Sequence, residues 1–176
     1  MTPAEQRQLA GIRAELSRVT RYDDESIVND KWVRQRYDCG CFPGLAPARK
    51  AAVRAAWHEA GHAVAALELG ARFSSASIHH GCRTEGRVHG IRGASELAFV
   101  IDAAGQIAER LMNWTMLERH DELRAWRYSE AALVPLRPRM AHVARALLVH
   151  PRHLPCGVLA AIAAERPVTA AHAAGG

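Results

Sequence analysis

Apolar residues recur at helical spacing near the start of the chain. Steps of three and four along segment 3–20 place its apolar residues on one stripe of an amphipathic helix. These residues are Leu9, Ile12, Leu16 and Val19. A second short helix is predicted over 24–36. We expect both helices to pack on the rest of the domain, with a docking partner or a second copy of the chain as the alternative.

The strongest predicted element is a long helix between Pro47 and Gly70. Proline suits the first turn of a helix and glycine suits the residue after its end. The polar residues of this segment recur every four positions, so they share one stripe: Lys50, Arg54, His58 and His62. The remaining positions are mostly Ala, Val, Trp and Leu. The pattern therefore predicts a largely buried helix whose polar stripe points inward or into a cleft.

The periodicity changes after Gly70. Segments 73–80 and 87–91 alternate as short strands do, and the glycines of 81–86 predict a turn between them. Helices are predicted over 95–113, from about 116–120 to Val134, over 139–149 and over 156–165. The chain is thus expected to be mainly α, a compact helical domain over 46–168 with a small β-hairpin. Residues 1–45 would form an N-terminal helical extension and 169–176 a loose tail.

Composition narrows the class of protein. The 176 residues suffice for one domain with a hydrophobic core, and the net charge of +5 is scattered rather than gathered in a dense run. We therefore expect solvated helix faces, not a nucleic-acid surface. No apolar run reaches the roughly 18 residues of a membrane span, and no signal peptide is recognisable at the start. We expect the four cysteines to be free thiols, which is typical of a reducing compartment, and therefore a cytoplasmic protein.

Candidate chemistry lies in His58-Glu59-Ala60-Gly61-His62, in the middle of the long predicted helix. Residues four apart lie about 40° apart around a helix and one turn along it, so both imidazoles can bind one ion. This is the His-Glu-x-x-His arrangement of zinc peptidases. Two solvated histidines beside a surface glutamate are the alternative, which the buried character of the helix disfavours.

The residue types fit peptide hydrolysis. Neutral imidazoles hold zinc, which acidifies its bound water and polarises the scissile carbonyl. Glu59, beside the ligands, would accept the water's proton and pass it to the leaving amine. We expect one zinc per chain and endopeptidase activity on unfolded or flexible peptide substrates. The alternative is a zinc-binding interaction or assembly protein that retains a peptidase-like fold without turnover.

Four segments together resemble the FtsH-type zinc metallopeptidases. The first runs from His58 to Ala66, and the second is Ser77-Ile78-His79-His80-Gly81. The other two are Ala103-Ala104-Gly105-Gln106-Ile107-Ala108-Glu109 and His120-Asp121-Glu122-Leu123-Arg124-Ala125. The resemblance implies that Asp121 is the third zinc ligand, with Glu122, Glu118 and His120 as alternatives. It also implies that Glu109 orients a ligand. The chain lacks the ATPase module of that family, so we expect no dependence on ATP.

Four further residues and the predicted hairpin have open interpretations. Gly61 and Gly105 lie in alanine-rich faces, which favours close packing of the two helices that carry them. The alternative is that each helix merely tolerates a glycine at that position. The 73–91 hairpin could offer an edge strand to a peptide or be purely structural. Cys39 and Cys41 could block the zinc site, or join Cys82 and His79 or His80 in a second metal site. Free thiols are the simpler expectation.

Overall fold

A computed structural model describes residues 1–19, 27, 45–79, 85–93, 97–113 and 124–165. Within these residues the protein is mainly helical and carries one small antiparallel sheet, which confirms the predicted class. The predicted helix over 24–36 lies outside the described residues except for Ile27, which is helical and buried. None of the helices described is long and apolar enough to cross a membrane.

The long helix α2 is the structural centre of the described residues. The helices are α1 (Pro3–Val19), α2 (Leu45–Glu68), α3 (Ala98–Asn113), α4 (Arg124–Leu133), α5 (Arg137–Val149) and α6 (Cys156–Ala164). α2 packs against α3, α5 and the sheet. Alanines fill much of this surface, and Ala56, Ala60 and Ala63 are fully buried. The prediction of a largely buried helix is therefore confirmed, and its small side chains let neighbouring elements come close. The polar stripe only partly points inward, because Lys50 and Arg54 are exposed while His58 and His62 are half-buried.

The sheet has three antiparallel strands in the order β2-β1-β3. They are β1 (Ser75–His79), β2 (Glu85–His89) and β3 (Leu154–Pro155). Ile78 of β1 pairs with Gly86 of β2, and Gly86 lies against Glu59 of α2. This face of the hairpin therefore packs on the helix that carries the candidate motif. In the described part of the chain, β2 pairs on one side only and forms an edge of the sheet.

The N-terminal helix belongs to the same hydrophobic core. Leu9, Ile12 and Leu16 are buried within it, and α1 packs on α5 and α6. The apolar stripe predicted for this helix thus contacts the rest of the domain. Packing is favoured because it removes the surface of three large apolar side chains from water.

Several predicted boundaries differ from those observed. The two strands predicted over 73–80 and 87–91 are found at 75–79 and 85–89. β3 was not predicted, because two residues carry no alternation and the strand exists only through its pairing with Ser75 and Ala76.

The chain between α4 and α5 also differs from the sequence prediction. A 3₁₀ turn, Val134–Leu136, leads directly into α5, which begins at Arg137 instead of 139. Pro135 and Pro138 each occupy an early position of their helix, where the missing N–H has no intrahelical acceptor to lose. Proline therefore ends α4 as predicted but also starts α5 two residues early.

Candidate metal centre

The imidazoles of His58 and His62 converge on adjacent turns of α2. Their Nε2 atoms lie 3.0 Å apart, and the ring centroids are separated by 4.7 Å. The one-turn spacing therefore brings the two nitrogen atoms together in space, as the sequence predicts.

The other ring nitrogen of each histidine is held by an acceptor on α3. His62 Nδ1 lies 2.6 Å from the carbonyl oxygen of Ile101, and His58 Nδ1 lies 2.7 Å from Glu109 Oε1. A carbonyl or carboxylate oxygen only accepts, so each Nδ1 carries the hydrogen and donates. In the neutral rings both Nε2 atoms consequently present lone pairs, and they present them to each other.

The arrangement fits a metal ion on three grounds. Two lone pairs 3.0 Å apart repel each other unless a proton or a cation lies between them. Gly105 leaves space beside both nitrogens, because a Cβ atom there would come within 2.5 Å of each. Zinc bound tetrahedrally at about 2.0–2.1 Å would hold two nitrogens about 3.3 Å apart, close to the observed separation. These donors and this space suit zinc.

The structure does not describe the position of the predicted third ligand. Asp121 and its alternatives Glu118, His120 and Glu122 lie outside the described residues. Within the described residues, no group of three or more His, Cys, Asp or Glu side chains is arranged to hold a metal. The third protein ligand therefore stays a prediction.

Burial and hydrogen bonding affect the two histidines in opposite directions. Burial lowers the pKa of His62, which favours the neutral, metal-binding form of the ring. The hydrogen bond to Glu109 raises the pKa of His58. In the metal-free protein a proton on His58 Nε2 can thus form a hydrogen bond to His62 Nε2, and a metal ion would displace that proton.

Glu59 lies buried against the edge strand. It is 5% exposed, and burial raises its pKa to about 7. The backbone N–H of Val88 donates to its carboxylate. Gly86 makes this approach feasible, since a Cβ atom there would clash with the Glu59 side chain. The candidate base is therefore held between α2 and β2.

Glu109 connects α3 to two residues of α2. One carboxylate oxygen accepts from His58 Nδ1 and the other from Arg54 Nε. Burial alone would raise the pKa of Glu109, but the hydrogen bonds from His58 and Arg54 hold it below its ordinary value. Glu109 is thus an ionised partner of a candidate ligand, the position that the resemblance implied for it.

Close packing of α2 on α3 makes these contacts reachable. A Cβ atom on Gly61 would clash with the carbonyl oxygen of Ala104, and one on Gly105 would crowd both imidazoles. The prediction that both glycines permit a close approach of the two helices is confirmed.

Three groups of the site were not identified from the sequence. Arg54 was visible only as a member of the polar stripe, although its position four residues before His58 could have suggested a shared partner. The Ile101 carbonyl and the Val88 N–H are backbone groups, which no residue type reveals. Among the cysteines, Cys156 is a free thiol, whereas Cys39, Cys41 and Cys82 lie outside the described residues.

Comparisons of the chain with protein-family models, with curated proteins and with solved structures find no match.

Proposed function

We propose that this protein is a zinc-dependent endopeptidase that hydrolyses peptide bonds in unfolded or flexible substrates without ATP. The observation that supports this most is the convergence of the His58 and His62 Nε2 atoms, 3.0 Å apart, on the helix that also carries the buried Glu59. Two metal-binding nitrogens next to an acid–base group are the part of a zinc hydrolase site that a His-Glu-x-x-His helix supplies.

His58 and His62 would hold the ion, with Asp121 as the proposed third protein ligand. Three protein ligands leave one position open, which distinguishes catalytic zinc sites from structural ones. When bound, zinc supplies a Lewis acid that polarises a peptide carbonyl and makes a water molecule more acidic.

Glu59 would transfer the proton. Its carboxylate accepts a proton from the water that attacks the peptide carbonyl and then delivers that proton to the nitrogen of the departing amine. The products are one carboxylic acid and one amine, so the glutamate returns to its starting form. Without metal, burial raises the pKa of Glu59 to about 7. A zinc ion bound beside the carboxylate would favour its ionised form, which is the form that accepts a proton from water.

The edge strand β2 supports a peptide as the substrate. An extended peptide can add to an open strand edge through main-chain hydrogen bonds, which do not depend on its side chains. Because Glu59 lies against Gly86 and Val88, such a peptide would run beside the base. Folded proteins seldom offer a free extended segment, so unfolded and flexible chains are the substrates we propose, in a reducing cytoplasm.

The proposal is tested by measuring zinc and cleavage on the same preparations. The wild type is expected to contain about one zinc per chain and to cleave an unfolded protein substrate. His58→Ala and His62→Ala should lose both properties, while His153→Ala, an exposed histidine outside the pair, should keep both. Zinc retained by His58→Ala and His62→Ala would refute the metal site. A zinc-loaded wild type that cleaves no unfolded substrate would favour the non-catalytic zinc-binding alternative.

A further inference from the structure

We propose that Arg54 is a positioning residue for the metal centre, acting on His58 through Glu109. The inference rests on the proposed zinc site and extends it by one residue beyond the histidine–carboxylate contact. Arg54 Nε donates to Glu109 Oε2, and Glu109 Oε1 accepts from His58 Nδ1, 2.7 Å away. The guanidinium and the candidate ligand thus hold opposite oxygens of a single carboxylate.

The helical spacing makes this arrangement specific. Arg54 and His58 are four residues apart on α2, so their side chains lie on the same face one turn apart. Glu109 approaches that face from α3, which Gly61 and Gly105 seat closely on α2. A carboxylate held at one oxygen can still turn about its side-chain bonds, whereas one held at both oxygens has a fixed plane. Arg54 therefore fixes the acceptor that sets the orientation of the His58 ring.

Glu109 is well placed to pass this constraint to the metal. Its side chain is 19% exposed, which limits the water that can compete for its oxygens. A carboxylate that accepts from the second nitrogen of a ligating histidine fixes the ring and makes it a better ligand. Removing Arg54 would leave one oxygen of Glu109 to water and relax the position of the His58 ring.

The simpler account is an ordinary ion pair between two helices. The Arg54 side chain is 70% exposed, and exposed ion pairs contribute little to folding stability. The two accounts differ in what they predict for zinc. An ordinary ion pair changes stability slightly and leaves the zinc affinity alone, whereas a positioning residue changes the affinity and does so only while Glu109 is present.

The experiment measures zinc affinity by competition with a chromophoric chelator in a double-mutant cycle. The variants are Arg54→Ala, Glu109→Ala and the double variant, compared with the wild type. Lys50→Ala is the matched control, because Lys50 is an exposed cation one turn earlier on the same stripe. Arg54→Lys tests whether a cation at this position restores part of the affinity. Visible spectra of the cobalt-substituted proteins report the geometry around the ion.

We expect Arg54→Ala to weaken zinc binding about threefold to tenfold and Glu109→Ala to weaken it about tenfold to hundredfold. In the Glu109→Ala background the further loss from Arg54→Ala should vanish. Arg54→Lys should recover part of the affinity, and Lys50→Ala should leave it unchanged. The cobalt spectrum should shift in Arg54→Ala and not in Lys50→Ala.

Three results would overturn the inference while leaving the zinc site standing. The first is unchanged zinc affinity in Arg54→Ala. The second is an equal loss from Arg54→Ala with and without Glu109, and the third is an equal loss in Lys50→Ala. Either of the last two would mean that overall charge, and not the connection through Glu109, is responsible. A wild type that binds no zinc would overturn both the inference and the proposed function.

Discussion

Replacing Gly105 with alanine should empty the metal site while the protein still folds. The new methyl carbon would lie 2.5 Å from His58 Nε2 and 2.5 Å from His62 Nε2, whereas ordinary contacts begin at 3.4 Å. The two rings would have to retreat by about 1 Å. Both rings are anchored at Nδ1, by Glu109 and by the Ile101 carbonyl, so they cannot retreat without losing these hydrogen bonds.

The size of the effect follows from these contacts. Inserting a methyl group into a packed interface costs about 1–3 kcal/mol, which corresponds to a fall in Tm of roughly 2–12 °C for a chain of this size. Disturbing only the partner of a zinc ligand costs about tenfold to hundredfold in affinity. Because Gly105→Ala moves both ligands themselves, we expect zinc affinity to fall by at least about 100-fold.

The assay is chelator competition for zinc together with a thermal melt of the metal-free protein. Gly11→Ala is the control, since a Cβ atom there meets nothing within 4 Å and α1 packs mainly on α5 and α6. Its zinc affinity should equal that of the wild type, with slightly higher stability. Wild-type zinc affinity in Gly105→Ala would refute the reasoning, because the ion could not then lie beside the two nitrogens above this glycine.

Three further predictions concern the base, the third ligand and the metal's contribution to stability. Gly86→Ala should keep zinc but lower kcat at least about tenfold, because the three atoms nearest to the new methyl group all belong to the Glu59 side chain, which it would displace; an unchanged kcat would contradict this role of Glu59. Asp121→Ala should weaken zinc binding strongly while Glu122→Ala should not, and the reverse order would reassign the ligand. Removing zinc with a chelator should lower Tm, and the free energy of unfolding should fall by about 4 kcal/mol if free zinc had been at 1,000 times its Kd. An unchanged Tm would argue against a zinc site that forms only in the folded protein.

The helices and the core could be predicted from the sequence because both follow from the spacing of apolar residues within short segments. Leu9, Ile12 and Leu16 recur at helical spacing, and the same three residues are buried. The His58 and His62 pair follows from helix geometry in the same way, because a spacing of four residues fixes which side chains are neighbours.

What could not be predicted depends on contacts between distant segments. The partners of the two Nδ1 atoms come from α3, 39 and 51 residues away along the chain. One of them is a backbone carbonyl, which every residue type carries. The clash that makes Gly86 necessary exists only because β2 packs on Glu59, and β3 exists only because β1 is beside it. Single-sequence periodicity has no access to such pairings.

The catalytic role of Glu59 is measured by the cleavage rate of Glu59→Gln at matched zinc content. Glutamine keeps the size of the side chain and can still accept the Val88 N–H, but it cannot take up a proton from water. The proposed mechanism predicts the same zinc content as the wild type and a rate of peptide hydrolysis lower by at least about 100-fold. Hydrolysis by the zinc-loaded variant at the wild-type rate would remove Glu59 from the reaction and contradict the proposed mechanism.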